Sequence, residues 1–138
     1  MIFRTTMKDV EPVVVEGRIK IPYRWPAGRV GGRFLEVLRT ESRFEGLRCP
    51  RCGKVSVPPR PRCLICRVPS EDRVTVGPVG TVTTWTRRPQ GVFVLVRLDG
   101  ADTAILHRLL ETDEPVSGMR VTPVLRDGLQ GFRPAELP

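Results

Sequence analysis

The four cysteines of this chain are confined to a short segment, and they form two Cys-x-x-Cys motifs separated by a loop that contains proline. Such a pair of motifs places four thiolates around one tetrahedral ion at roughly 2.3 Å from each sulfur. Gly53 follows the first motif and lets that turn close without a Cβ clash. The spacing therefore predicts a zinc ribbon over residues 46–70. Its metal ligands are predicted to be Cys49, Cys52, Cys63 and Cys66.

Other uses of four cysteines fit less well. Two disulfides require an oxidising compartment, and a redox Cys-x-x-Cys normally comes as one motif beside a βαβ unit. A four-thiolate iron centre of the rubredoxin type has similar spacing, so the sequence leaves zinc and iron open and favours zinc. A site closed by four sulfurs has no position for water or substrate. We therefore expect one structural Zn²⁺ ion.

Length and hydropathy predict a small cytoplasmic protein. The 138 residues, 40% of them apolar, suffice for one modest core beside the ribbon. Residues 1–9 are not followed by the apolar stretch of a signal peptide. The longest apolar runs, residues 13–15 and 92–96, are too short to cross a bilayer. The formal net charge of +8 favours anionic partners such as nucleic acid, phosphorylated cofactors or an acidic protein face.

Residues 1–45 are predicted to form an arm followed by a short helix. Pro22 and Pro26 exclude a regular helix or central strand around Tyr23 and Trp25. A helix is predicted from about Val30 to Glu41, with one apolar face formed by Phe34, Leu35 and Leu38. A helix of this length must dock that face on something.

Two interpretations of the arm and helix remain open. In one, they pack on the ribbon or barrel of the same chain. In the other, they lie on a partner protein, because aromatic anchors in an arm fixed by proline suit recognition. The residues predicted to bind a partner are Tyr23, Trp25, Phe34 and Leu38.

Residues 71–138 are predicted to be all β. Runs rich in β-branched residues alternate with turn signals such as Asp99-Gly100 and Asp127-Gly128. About five strands are expected, and they suit a small Greek-key barrel of the OB-fold type. The five strands are predicted around residues 81–86, 92–98, 101–107, 118–125 and 132–134, and Val74 and Val76 alternate ahead of them. The predicted fold class is mainly β: a short N-terminal helix, a four-cysteine zinc ribbon, and a five-stranded OB-fold-like barrel.

The order of these motifs resembles a known family over about residues 30–134. The chain has a Gly-Gly-Arg-Phe-Leu helix, a ribbon with Pro-Pro-Arg between its motifs, and a barrel that opens Gly-x-x-Gly-Thr-Val-Thr-Thr-Trp-Thr. It ends with Gly118-Met119-Arg120-Val121 and Phe132-Arg133-Pro134. This order is similar to that of the acyl-CoA-associated proteins that join a rubredoxin-like zinc ribbon to an OB-fold.

The resemblance implies a non-catalytic partner of a thiolase-type enzyme. Members of this family serve archaeal acetoacetyl-CoA synthesis, steroid side-chain degradation and anaerobic aromatic degradation, and the four cysteines here match their zinc ligands. In two places the chain departs from the family pattern. Arg67 stands where glycine often follows the second motif, and the arm through Trp25 lies outside the shared core.

The residue inventory agrees with a chain that lacks an active site of its own. Thiolase chemistry uses a nucleophilic cysteine with a histidine or second cysteine, but every cysteine here is assigned to metal and His107 is the single histidine. Glu111, Asp113 and Glu114 crowd one loop that we expect to be solvated.

Two functions follow from the sequence. The first is an accessory subunit in a hetero-oligomer with a thiolase-family enzyme, with CoA contacts predicted at Arg87, Arg88, Arg97 and Arg120. The alternative is nucleic-acid binding, since ribbons and OB-folds both occur there. The barrel offers only Trp85, Phe93 and Phe132 as stacking platforms, and acidic residues outnumber basic ones by one in residues 71–138. The accessory function is therefore favoured.

Overall fold

The computed structural model describes residues 11–136, which contain one helix and eight strands arranged in two antiparallel sheets. Residues 11–27 contain no helix or strand. None of the described helices is long and apolar enough to cross a membrane. The elements are α1 (Gly28–Thr40), β1 (Phe44–Arg48), β2 (Val55–Ser56), β3 (Asp72–Val76), β4 (Gly80–Arg88), β5 (Gly91–Leu98), β6 (Ile105–Arg108), β7 (Arg120–Leu125) and β8 (Leu129–Pro134).

The ribbon is built on a three-stranded sheet in the order β2-β1-β3. Strand β3 pairs antiparallel with β1 over its whole length, from Phe44 opposite Val76 to Arg48 opposite Asp72. The sequence assigned Val74 and Val76 to the barrel unit, and this boundary is wrong. Alternation identifies a strand but not its partner, because pairing between β1 and β3 joins residues far apart in the chain.

The remaining five strands form the predicted barrel, in the order β6-β5-β4-β7-β8. A parallel bridge between Leu109 and Phe132 connects the two ends of this sheet, supported by a 2.7 Å hydrogen bond from the Leu110 N–H to the Phe132 carbonyl. This connectivity is the Greek-key barrel of an OB-fold. The interior is filled largely by the valines of β5, whose alternate side chains point inward: Val92, Val94 and Val96.

Residues 101–104, predicted to begin a strand, form a loop that binds the ribbon instead. The Asp102 carboxylate accepts a 2.8 Å hydrogen bond from the Val55 N–H. The Thr103 hydroxyl accepts a bond from the Val57 N–H at 2.7 Å and donates one to the Val57 carbonyl at 2.8 Å. These contacts satisfy backbone groups on the open edge of β2, which would otherwise require water. The loop thereby fixes the ribbon to the barrel.

The predicted helix is present, but part of its predicted surface role is wrong. Phe34 and Leu38 are buried in the core of the chain itself, so they have almost no surface to offer a partner. Leu35, predicted to share their face, is 54% exposed, and Val37 is buried in its place. The Phe44 ring lies 6.5 Å from Phe34 and stacks on Phe132 at 6.5 Å. These rings join the helix, the ribbon sheet and the barrel.

Candidate metal centre and barrel surface

The first Cys-x-x-Cys turn connects β1 to β2. The Gly53 N–H donates a 2.9 Å hydrogen bond to the Cys49 carbonyl and closes the turn. Gly53 has φ of +73°, a left-handed conformation that costs glycine no steric penalty. The N–H groups of Arg51 and Cys52 point at the Cys49 sulfur, at 3.4 and 3.5 Å. The sequence prediction for this turn is therefore consistent with the structure.

The second turn repeats this geometry with arginine in place of glycine. The Arg67 N–H donates a 3.0 Å hydrogen bond to the Cys63 carbonyl, and Arg67 has φ of +59°. The Cys66 N–H points at the Cys63 sulfur at 3.5 Å. The departure from the family pattern at this position thus leaves the turn unchanged. It places a side chain where the backbone conformation disfavours one, at a cost of roughly 1–2 kcal/mol.

The four sulfurs lie close enough together to surround one metal ion. All of them lie within 4.8 Å of one another, and the Cys52 and Cys63 sulfurs are 3.7 Å apart. Sulfurs bound to zinc at about 2.3 Å would be about 3.8 Å apart, whereas a disulfide requires about 2.05 Å. The donor set is four sulfurs with amide hydrogen bonds, so the site suits zinc with no position left for substrate.

The surroundings of the thiols already favour a charged sulfur at one position. Hydrogen bonds from the N–H groups of Cys66 and Ile65 lower the pKa of Cys63 to about 7. Burial raises the pKa of Cys66 to about 12, and the nearby thiols of Cys52 and Cys49 add to this increase. A bound dication would hold all four thiols deprotonated, because coordination outweighs such differences.

A buried carboxylate beside the ribbon was missed at the sequence level. The side chain of Glu45 in β1 is 4% exposed and accepts hydrogen bonds from Arg33 of α1 at 3.2 Å and from Arg73 of β3 at 2.8 Å. Burial would raise the pKa of Glu45, but the hydrogen bonds from these two arginines outweigh it and lower the pKa. Glu45 therefore links helix α1 to strands β1 and β3. No local pattern in the sequence distinguishes it from a solvated acid.

His107 is half-buried at a cleft between α1 and the barrel. Its Nδ1 atom is buried and lacks a hydrogen-bond partner among the described residues. Burial, and to a smaller extent the charge of Arg108, lowers the pKa of His107. The cleft, with a volume of about 590 Å³, is also lined by Leu35 and Asp127. Both effects favour the neutral imidazole.

The four arginines predicted to bind CoA do not form one cluster. Arg97 and Arg120 flank Thr81 on neighbouring strands, and Arg88 lies at the other end of β4, roughly 23 Å away at strand spacing. Arg120 forms a double hydrogen bond with the Asp99 carboxylate and donates to Thr81 at 2.8 Å. The hydrogen bonds from Arg120 lower the pKa of Asp99, and the positive charge of Arg120 adds to this effect. One guanidinium of the set is therefore already neutralised.

The structure brings a different pair of arginines together. The guanidinium carbons of Arg88 and Arg108 each lie 5.8 Å from the centroid of the Phe93 ring, on the outer face of the barrel. Arg108 was missed at the sequence level, although it lies opposite Phe93 in the strand register. Arg87, which should point to the opposite face from Arg88, donates a 2.7 Å hydrogen bond to the Asp113 carbonyl.

The barrel aromatics form no continuous stacking platform. Phe132 is fully buried, as expected for at least some of the three, and Trp85 is 43% exposed. Phe93 lies between two guanidinium groups. Trp85 pairs with Val94 on the neighbouring strand, so these two side chains share one face of the sheet. Phe93 precedes Val94 in the chain and therefore points to the opposite face. Stacking platforms for single-stranded nucleic acid require several bare rings along one groove.

Comparison with known proteins adds the family context. Residues 38–71 match the family model described as the ChsH2 rubredoxin-like zinc ribbon domain. A solved structure described as "Ltp2-ChsH2(DUF35) aldolase" matches with a TM-score of 0.64 at 25% identity, covering 82% of this chain and 100% of that chain. A DUF35-family protein of unknown function from Sulfolobus solfataricus matches with a TM-score of 0.64 at 20% identity, covering 78% of this chain and 87% of the other.

No curated protein matches the chain at the significance required of a relative. The solved structures nevertheless cover far more of the chain than the 34 residues of the family match, 82% in one case and 78% in the other. Residues 38–71 therefore match a rubredoxin-like zinc ribbon of the ChsH2 type, and the ChsH2 and DUF35 structures share their fold with 82% and 78% of the chain.

Proposed function

We propose that this chain is a non-catalytic, zinc-binding accessory subunit of a thiolase-family acyl-CoA enzyme, which it stabilises and whose acyl-CoA site it helps to shape. The observation that carries the proposal is the match, over 82% of this chain and 100% of the other, to one chain of a complex described as an Ltp2-ChsH2 aldolase. In that description a chain of this fold is paired with a second protein. With an aldolase partner of the Ltp2 kind, this chain would still be an accessory subunit, and only the reaction catalysed by the partner would differ.

The chemistry of the residues supports a partner that supplies the reactive groups. Acyl transfer through a thioester needs a nucleophile activated by a neighbouring base. The four thiols converge on one point, where an ion would hold all of them. The single histidine is half-buried, with Leu35, Leu129 and Asp127 also lining its cleft. The nucleophile and base are therefore assigned to the enzyme subunit, and this chain contributes binding surface.

Within this proposal, a CoA contact is best supported at Phe93. Arg88 and Arg108 are absent from the ion pairs found among residues 11–136, so their charges are available to phosphate. Both guanidinium groups lie 5.8 Å from the same ring centroid, so they are close enough together to bind the phosphates of one CoA molecule. Arg120 is a weaker candidate because Asp99 already occupies its guanidinium.

The accessory role is tested by affinity purification of the tagged full chain from its native host. We expect mass spectrometry to identify an acyl-CoA enzyme of the thiolase or aldolase class in stoichiometric amount. We also expect this enzyme to be inactive or insoluble when it is produced alone. Recovery of ribosomal or nucleic-acid components in its place, or turnover of a thioester by the isolated chain, would overturn the proposal.

The CoA contact is tested in the purified complex. Combined substitution of Arg88 and Arg108 by alanine should raise KM for the acyl-CoA about tenfold with little change in kcat. Arg97→Ala is the matched control, because Arg97 is an exposed arginine that lies about 13 Å from Phe93 along the same strand. An increase in KM for Arg97→Ala alone would move the contact to the other end of the sheet.

A further inference from the structure

The arm before α1 alternates with a period of two residues, and Val14 and Gly17 are the two exceptions. From residue 13 to residue 25, the odd positions carry the large apolar side chains, and the even positions carry all the charged residues and prolines. The odd positions are Val13, Val15, Gly17, Ile19, Ile21, Tyr23 and Trp25. The even positions are Val14, Glu16, Arg18, Lys20, Pro22 and Arg24. Since side chains alternate across an extended chain, all the large side chains of the first set share one face.

This apolar face is uncovered in the structure. Its six large side chains are 68–90% exposed, although such residues are normally buried. The Tyr23 and Trp25 rings meet edge to face at 5.9 Å, so they lie on the same side of the chain. Residues 11–27 contribute nothing to the hydrophobic core. The alternation is therefore a strand pattern that no part of the described chain satisfies.

The prolines show which backbone edge is able to pair. In a strand, the N–H groups of odd and even residues point to opposite edges. Pro12, Pro22 and Pro26 all occupy even positions, so the even edge lacks donors at three places. Every residue on the odd edge keeps its N–H group. Proline in a sheet is confined to edge strands, with the blocked edge toward solvent. The arm is thus suited to pair along one edge only.

We infer that residues 13–25 dock as an added edge strand on the enzyme subunit. This inference rests on the proposed accessory function and deepens it. The occupied surface on the enzyme would be an exposed strand edge beside an apolar strip, the combination that strand addition requires. The odd edge pairs with that strand, and the odd side chains cover the strip. The even face, with Arg18, Lys20 and Arg24, stays in water.

Area and geometry favour an enzyme over a second copy of this chain. Six large side chains bury roughly 100–150 Å² each, close to the roughly 800 Å² per partner of a stable interface. Two arms paired with each other along their odd edges would form a two-stranded ribbon with both apolar faces still exposed. Such a ribbon is at best marginally stable in water.

The experiment compares neighbouring substitutions that differ only in which face or edge they alter. The enzyme is co-expressed with equal amounts of wild-type and variant full-length chain, and mass spectrometry gives the ratio of the two in the purified complex. Ile21→Ser should reduce occupancy about tenfold, whereas Lys20→Ser should change it less than twofold. Gly17→Pro removes an N–H from the pairing edge and should reduce occupancy in the complex about fivefold. Glu16→Pro removes one from the solvent edge and should have little effect.

Amide hydrogen exchange supplies an independent readout. In the complex, odd-numbered amides of the arm should be protected and even-numbered ones should exchange freely. All variants should retain one bound metal and an unchanged Tm, because the arm lies outside the core.

The outcomes separate this inference from the function on which it rests. If the wild-type chain recovers no acyl-CoA enzyme, the proposed function fails and this inference fails with it. If all four variants occupy the complex as well as wild type, or if odd and even substitutions act alike, only the docking strand is overturned. Loss of a homodimer of this chain in the odd-position variants, with enzyme binding intact, would assign the arm to a second copy and also overturn the inference.

Discussion

The ribbon and the barrel are stabilised by different means. Residues 49–70 contribute only Cys49, Val55, Val57 and Pro59 to the buried apolar residues, and their four thiols converge on one point. The barrel has a conventional core, with the inward residues of β5 packed around the fully buried Phe132. Small units that bury little apolar surface need a metal or disulfides. We therefore expect the ribbon to depend on a metal ion and the barrel to depend on apolar burial.

This difference separates the effects of mutation in the two regions. Damage to the metal site should unfold the ribbon locally, and damage to the barrel core should lower global stability while the metal stays bound. The two regions meet at the Phe44–Phe132 stack and at the 101–104 loop. These contacts determine how far a local change spreads.

The largest effect is expected for Cys52→Ser. Losing one thiolate should remove most of the roughly 10–16 kcal/mol that structural zinc contributes. Elemental analysis should show loss of the metal, and hydrogen exchange should show loss of protection in the two turns with β5 still protected. Leu64→Ser is the control, because Leu64 lies in the second turn, is half-exposed and is not a ligand. Full metal content and an unchanged Tm in Cys52→Ser would contradict this assignment.

Phe132→Ala tests the barrel. Phe132 is fully buried and stacks on Phe44, so its truncation should cost about 3–5 kcal/mol of unfolding free energy. Chemical denaturation measures this loss. One metal ion should remain bound per chain under native conditions. Leu106→Ala, at an exposed barrel position, should cost less than about 1 kcal/mol. Loss of the metal in Phe132→Ala would show that the two regions are not separable.

Glu45→Gln tests the contact between helix and ribbon. The neutral amide would leave buried polar groups with weaker partners, so we expect a loss of about 2 kcal/mol at neutral pH. Because the folded-state pKa of Glu45 is lowered, its ion pairs stabilise the protein above the unfolded pKa of about 4.5 and lose this effect as pH falls below it. The stability difference between wild type and variant should therefore shrink below pH 4.5. A difference that is constant with pH would contradict the ion-pair role.

The smallest effects concern the residue that follows each turn. Arg67→Gly should stabilise the ribbon by about 1 kcal/mol, because glycine adopts the left-handed conformation without strain. Gly53→Ala should destabilise it by a similar amount. Zinc affinity measured by competition with a chelator gives both values. If Arg67→Gly destabilised the ribbon and Gly53→Ala stabilised it, side-chain contacts and not backbone strain would determine the stability effect of the residue after each turn.

The sequence predicted what depends on local spacing. It gave the cysteine turns, the helix to within two residues at its start, and the valine-rich central strand of the barrel. The Asp127-Gly128 turn is also confirmed, since both residues adopt the positive φ that a tight hairpin needs. These features follow from residue type and local periodicity.

The missed features depend on contacts between distant segments. The pairing of β3 with β1 and the burial of Glu45 join residues well separated in the chain. Leu35 was assigned to the buried face of the helix, but it lies just outside that face. Consecutive side chains on a helix are rotated by only about 100° around its axis, so the edge of an apolar face is hard to place from sequence. The pairing of Arg88 with Arg108 around Phe93 depends on the strand register, which alternation within each strand cannot give.

X-ray absorption at the zinc edge of the purified full chain tests the central claim most directly. A closed structural site predicts one zinc per chain, coordinated by four sulfurs at about 2.3 Å with no nitrogen or oxygen ligand. A mixed shell with an oxygen or nitrogen ligand would reveal an open, reactive site. That result would contradict the assignment of all four cysteines to a structural role.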